Sequence, residues 1–172
     1  MLLKHPYFWL AAFAGLILDR ISKHWVMASM VVGEVDPVWP GVLNFTYVLN
    51  PGAAFSLFRE GGEWLRWLSL AVSLFLAAWA WWGPKMSRWE QWGYGFIFSG
   101  AFGNGIDRFA AGEVVDFLQV PWVHVPIWQS WFQFQWMTFP IFNLADVFIN
   151  VGIICLLIAT FWPPSRPKHP VA

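Results

Sequence analysis

The chain is short of charge. Of its 172 residues, 12% are Asp, Glu, Lys or Arg, against 58% hydrophobic and 20% aromatic. A soluble domain of this size could not cover its surface with so few polar groups, so the composition is that of a membrane protein. Cysteine is scarcer still. Cys155 stands alone, which excludes an internal disulfide, and its place in an apolar run assigns it to packing. Ten basic residues balance ten acidic ones, which removes any electrostatic ground for a nucleic-acid partner. The four histidines, His5, His24, His124 and His169, are scattered and form no H-E-x-x-H, so a zinc hydrolase is not indicated. G-x-S-x-G is missing too, and no serine has an obvious histidine partner, which leaves a serine triad without support. No internal repeat, low-complexity segment or second domain interrupts residues 1–172, which read as a single membrane domain.

What is present is length of apolar sequence. A helix needs roughly 20 apolar residues to cross about 30 Å of hydrocarbon. Four stretches approach this: 6–27, 64–82, 91–109 and 141–162. The expected fold is therefore an α-helical integral membrane protein, a bundle of four transmembrane helices with both termini on one side. The first stretch is read as retained and not as a cleaved signal, because Asp19, Arg20 and Lys23 stand where small residues would be required. Lys4, Lys85, Arg88, Arg166 and Lys168 gather at one set of span ends, and that face is expected to be cytoplasmic. The opposite segments carry Arg59 as their one basic residue, beside Glu34, Asp36, Glu60, Glu63, Glu113 and Asp116. They are expected to lie outside an inner membrane. Trp25, Trp64, Trp67, Trp81, Trp82, Trp92 and Trp162 sit near span ends, where an amphipathic indole suits the interface.

In the first outer segment the run 43–49 favours β structure, so a short strand or hairpin is expected on the membrane surface. The second, "VVDFLQVPWVHVPIWQSWFQFQWMTFP", is interrupted by Pro121, Pro126 and Pro140 and reads as an aromatic loop lying in the interface.

The polar residues of the spans share one leaflet. Asp19 and Lys23 come late in an outward helix, Asn104, Asp107 and Arg108 end another, and Asn143 and Asp146 begin an inward one. An acid at the centre of a membrane helix costs about 2.5–3.5 kcal/mol on insertion scales, and such groups normally face the bundle interior or a wet cavity. Their spacing at helical intervals agrees, so a polar pocket opening outward is expected. Gly95, Ser99 and Gly103 form a small-residue ridge suited to close packing. The pocket offers carboxylates with amide neighbours. Two carboxylates held close share one proton and can act as base and acid together. The available acids are Asp19, Asp107, Asp116 and Asp146, and physics alone does not choose two of them. A transporter would spread its acids through several depths. A non-enzymatic assembly or lipid-binding protein, whose acids only knit helices together, would lose no chemical activity on Asp116→Asn.

Taken in order, "DRISK" (19–23), "NPGAAFS" (50–56), "GAFGNGIDR" (100–108), "GEVVDF" (112–117) and "FNLAD" (142–146) resemble lipoprotein signal peptidase, also called signal peptidase II. The resemblance implies an aspartic endopeptidase with Asp116 and Asp146 as its catalytic pair. It implies Asp19, Lys23, Asn50, Gly52, Asn104, Asp107, Arg108 and Asn143 as substrate-binding or supporting residues. The substrate it implies is a diacylglyceryl-modified bacterial prolipoprotein, cut on the N-terminal side of the lipidated cysteine at the outer face of the inner membrane. No metal or organic cofactor follows from it. The expected partners are that substrate and membrane lipids, and the protein is expected to be a monomer. The stretch between Asp116 and Asn143 is longer than usual for the family, and 121–140 is expected to form a flap or surface element over the site.

Overall fold

The helices reverse the distribution of a soluble protein: Phe13 is 58% exposed and Leu74 61%, whereas Asp19 and Lys23 are both 0% exposed. Apolar residues facing outward around a polar interior are what a hydrocarbon solvent selects, because polar side chains there must find partners within the protein. The computed structural model describes residues 4–52, 63–130 and 133–162. In chain order its elements are α1 (Pro6–Ser29), β1 (Val35–Trp39), β2 (Leu43–Asn50), α2 (Glu63–Trp82), α3 (Arg88–Ala110), β3 (Val114–Gln119), β4 (His124–Ser130), β5 (Gln133–Thr138) and α4 (Leu144–Phe161).

Each helix falls on one of the four stretches expected from the sequence. Among the described residues, Trp64–Trp82 and Leu144–Phe161 are long and apolar enough to cross a membrane. The other two helices are equally long but more polar, since α1 carries Asp19, Arg20 and Lys23 and α3 carries Glu90, Asp107 and Arg108. The ends of α1 and α3 remote from Asp19 and Asp107 hold buried polar groups as well. Gln91 accepts from the Tyr7 backbone N–H (3.2 Å) and donates to the Met86 carbonyl (3.0 Å), tying the starts of α1 and α3 together.

The central helix is α3, which packs on α1, α2 and α4. Its small residues explain how closely it does so. The ridge expected at Gly95, Ser99 and Gly103 faces α1: a Cβ on Gly95 would meet the Phe8 carbonyl at 2.5 Å, and one on Gly103 would meet Asp19 Oδ2 at 2.5 Å. Gly100 faces α4, where a Cβ would lie 2.3 Å from the Ala145 carbonyl. Close backbone approach of this kind is the main source of helix association where there is no hydrophobic drive between helices.

Beyond the helices, β1, β2 and β3 form an antiparallel sheet in that order. The hairpin of β1 and β2 matches the expectation for 43–49. Val26 at the end of α1 packs with Tyr47, Val115 and Phe117, which seats the sheet on the bundle. Strand β3 is a correction, because the sequence reading put Asp116 in a loop. Val114 through Phe117 are all buried, so the alternation that marks a half-exposed strand is missing from "VVDFLQ". The aromatic loop is also corrected: β4 and β5 pair as an antiparallel hairpin, with His124 opposite Thr138 and Pro126 opposite Trp136. Its alternation of Gln133 and Gln135 with Phe134 and Trp136 is the two-residue period of a strand.

A backbone strap joins the sheet to α4. The N–H groups of Phe117 and Leu118 both donate to the Phe142 carbonyl (3.0 and 2.7 Å), and the Phe142 N–H donates back to the Leu118 carbonyl (3.0 Å). For this reason α4 begins at Leu144 and not at residue 141, since Phe142 is bridged to Leu118 of β3.

Packing at Gly100 generates the first prediction. Gly100→Ala should lower the thermal unfolding temperature in detergent despite alanine's better helix propensity, with an overpacking cost of about 1–3 kcal/mol. Gly105→Ala, whose nearest neighbour would be Ser69 Cβ at 3.1 Å, should cost less. Equal stability of Gly100→Ala and the parent would contradict the close α3–α4 contact.

Candidate active site

The site grows from one buried cation. Lys23 Nζ, reaching from α1, lies 3.0 Å from Asp19 Oδ1 and 2.7 Å from Asp107 Oδ2, and donates to Asn104 Oδ1 at 2.8 Å. Three acceptors match the three N–H bonds of an ammonium group. Asp107 also pairs with Arg20. Removing one partner of a buried ion pair typically costs about 3–5 kcal/mol, which is the cost expected for Lys23 or Asp19, both fully buried.

The cluster fixes the amide orientations above it. Because Asn104 Oδ1 faces the Lys23 ammonium, its Nδ2 is the end that points to α4, where it donates to Asp146 Oδ1 at 2.9 Å. Asn143 adds a second junction. Its Nδ2 donates to Asp116 Oδ1 (2.7 Å) and Asn104 Oδ1 (3.1 Å), with a longer contact to the Val115 carbonyl (3.3 Å). Its Oδ1 accepts from the Asp146 backbone N–H (3.1 Å), and its own backbone N–H donates to Asp146 Oδ2 (3.1 Å). These last two bonds are a capping box. Asn143 is thus the N-cap of α4 with extended φ and ψ of −133° and −178°, and does not share a helical face with Asp146 as the spacing suggested. Asp19 completes the start of α4 by accepting from the Ala145 N–H at 3.2 Å.

Asp116 arrives from the sheet. On β3 it lies between Val115 and Phe117, both in the apolar cluster against α1, and it is 3% exposed. Its second oxygen accepts from Asn50 Nδ2 at 2.8 Å. Burial is the largest influence on its carboxyl and the nearby Asp146 charge the next; together they push its pKa up to about 7, against the opposite pull of the hydrogen bonds from Asn50 and Asn143. Each oxygen of the two carboxyl groups therefore has one amide donor, and Asn143 touches both groups.

Asn50 is held in turn, its Oδ1 accepting from the Gly52 N–H at 3.0 Å. The Gly52 carbonyl accepts from Arg108 at 3.2 Å. Arg108 thus holds the chain just after β2, while Asp107 is left to Lys23 and Arg20. The rest of the "NPGAAFS" motif, residues 53–56, lies outside the described residues. All ten residues singled out in the sequence converge here. Arg20 was missed as a partner of Asp107, although it sits inside "DRISK". Gln119, whose Oε1 accepts from Asn44 (3.0 Å) and Thr46 (2.8 Å) and so laces β2 to β3, carried no signal that would separate it from any strand glutamine.

The two carboxyl groups open on a cavity of about 500 Å³. Its polar end is formed by Asn50, Asn104, Arg108, Asp116 and Asp146, and its walls by Phe139 to Phe142 and by Val147, Val151 and Ile154 of α4. A pair of acids joined through amides, at the head of a largely apolar slot, is equipped to hydrolyse a bond in an amphiphilic substrate.

Comparison with known proteins identifies the family. A sequence profile described as Signal peptidase (SPase) II matches residues 11–162. The chain is 56% identical over 169 residues to a lipoprotein signal peptidase of Cyanothece sp., covering 96% of this chain and 90% of that one. It is 54% identical over 167 residues to one of Microcystis aeruginosa, covering 96% and 99%. A bacterial membrane enzyme solved by the in meso method at 2.3 Å resolution superimposes with a TM-score of 0.74 at 28% identity, covering 95% of this chain and 92% of that one. The chain belongs to the signal peptidase II family, and it is a peptidase.

Proposed function

We propose that the chain removes the signal peptide from diacylglyceryl-modified prolipoproteins as an aspartic endopeptidase, with Asp116 and Asp146 as the catalytic pair. The observation that carries the assignment is Asn143, whose amide donates to one carboxyl group while its backbone N–H donates to the other. Among the described residues no comparable junction links either acid to Asp19 or Asp107, which are committed to Lys23. Charge balance supports a shared proton. Asp19, Asp107, Asp116 and Asp146 face Arg20, Lys23 and Arg108, leaving one negative charge that a single proton on the pair cancels.

In this reading the ionised member of the pair takes a proton from water as the water oxygen attacks the peptide carbonyl carbon, and the protonated member gives its proton to the carbonyl oxygen. Collapse of the tetrahedral intermediate breaks the C–N bond: the proton taken from water passes to the cysteine nitrogen, and a hydroxyl proton of the intermediate returns to the acid that had protonated the carbonyl oxygen, restoring the pair. The pair titrates as a unit, so the starting position of the proton belongs to both acids. Lys23, Asp19, Asp107, Asn104, Asn143, Asn50, Gly52 and Arg108 orient the pair.

The four helices act as four spans of a bacterial inner membrane, with both termini cytoplasmic and the site facing outward. What supports this is the distribution of lysine and arginine, with Lys4, Lys85 and Arg88 at the end opposite the aspartates. A lipid-anchored cysteine would hold its scissile bond at the same height. The hairpin of β4 and β5 leads through Phe139 and Pro140 into the cavity wall and would cover the substrate.

Cleavage of a diacylglyceryl prolipoprotein by the purified protein should stop with Asp116→Asn and with Asp146→Asn, a loss of at least about 10²–10⁴ for removal of an acid–base group. Retained cleavage in both variants would refute the pair. The rate should be bell-shaped in pH, falling on the alkaline side near the Asp116 value of about 7, as the shared proton is lost. Because the Asn50 hydrogen bond favours charged Asp116, Asn50→Ala should move that alkaline limb to higher pH. A shift to lower pH, or none, would contradict the role given to Asn50.

A further inference from the structure

One polar side chain of α4 has no part in the network above. Asn150 is the one amide, hydroxyl or charged residue between Asp146 and Thr160. It is exposed, it lines the cavity, and its neighbours there are Val147, Val151 and Ile154. Its Nδ2 donates to the Asp146 carbonyl one turn back at 2.8 Å. That bond leaves the second N–H and Oδ1 without a partner among the described residues. An amide so placed on a hydrocarbon-facing helix is expensive to leave unsatisfied, which is why such residues normally serve a ligand or another helix.

The order of groups along the slot matters. The cavity is polar at Asn50, Asn104, Arg108, Asp116 and Asp146, carries a further amide at Asn150 about 6 Å along α4 from Asp146, and beyond that is apolar at Val151 and Ile154. Resting on the proposed function, the substrate presents the same order: a scissile peptide bond, then a cysteine sulfur and glycerol bearing ester carbonyls, then alkyl chains. The first ester carbonyl lies a cysteine side chain and two glycerol carbons beyond the cysteine nitrogen. That span matches one helical turn plus the reach of an asparagine.

We infer that Asn150 is a specificity-determining residue, whose free N–H donates to an ester carbonyl of the substrate's diacylglyceryl group. Lipid recognition is then divided along the slot: Val147, Val151 and Ile154 accept the chains of any dialkyl substrate, and Asn150 distinguishes an acyl ester from an ether, which has no carbonyl.

Two synthetic peptides test this with wild type and Asn150→Leu, one with S-diacylglyceryl cysteine and the other with its ether-linked dialkyl analogue. Asn150→Leu should raise KM for the ester roughly five-fold, as for one neutral hydrogen bond, with kcat and the pH profile little changed. For the ether, KM should be the same in both proteins. An equal KM increase on both substrates would assign Asn150 to slot shape and overturn the inference. So would no change on either, or an effect confined to kcat and the pH profile, which would mean that Asn150 acts through its bond to the Asp146 carbonyl. If the wild type cleaves neither peptide, the proposed function itself fails.

Discussion

The ammonium group of Lys23, enclosed between α1 and α3, is what the rest of the site depends on. It neutralises Asp19 and Asp107 and sets which end of the Asn104 amide faces α4. From there the order passes outward through side chains that have little choice. Asn104 presents an N–H to Asp146, Asn143 caps α4 and reaches Asp116, and Asn50 takes the remaining oxygen of Asp116. In a dry interior every such group must be satisfied, so one fixed charge orients a chain of neutral amides.

The fold brings the two acids together from different kinds of structure. Asp146 belongs to a helix whose position is set by Gly100 of α3, and Asp116 to a strand whose position is set by Val26 of α1. The strap of Phe142 on β3 ties these two elements directly to each other. The strap closes the loop between them, so the separation of the pair is determined by backbone hydrogen bonds and not by long side chains. That rigidity suits chemistry that needs two acids to share one proton.

Much of this was legible in the sequence. Helical stretches showed as apolar length, the pocket as a cluster of polar residues at one depth, and the close helix contacts as Gly95, Ser99 and Gly103. Less visible were features whose signal is cancelled by burial or by local competition. Strand β3 lacks alternation because both of its faces are covered. Asn143 has the spacing of a helical neighbour of Asp146, yet an asparagine before an apolar helix is also a cap, and capping won because Phe142 is already bonded to β3. Arg20 was hidden by its place in a charged run, where only the packing of α3 shows that it reaches Asp107.

The proposed shared proton has a direct test. Infrared difference spectra of the detergent-solubilised protein, recorded as pH is raised, should contain a protonated carboxyl stretch that disappears near pH 7 and is missing from Asp116→Asn. A spectrum in which no carboxyl titrates near neutrality, or in which Asp116→Asn leaves that band unchanged, would contradict a proton held between Asp116 and Asp146.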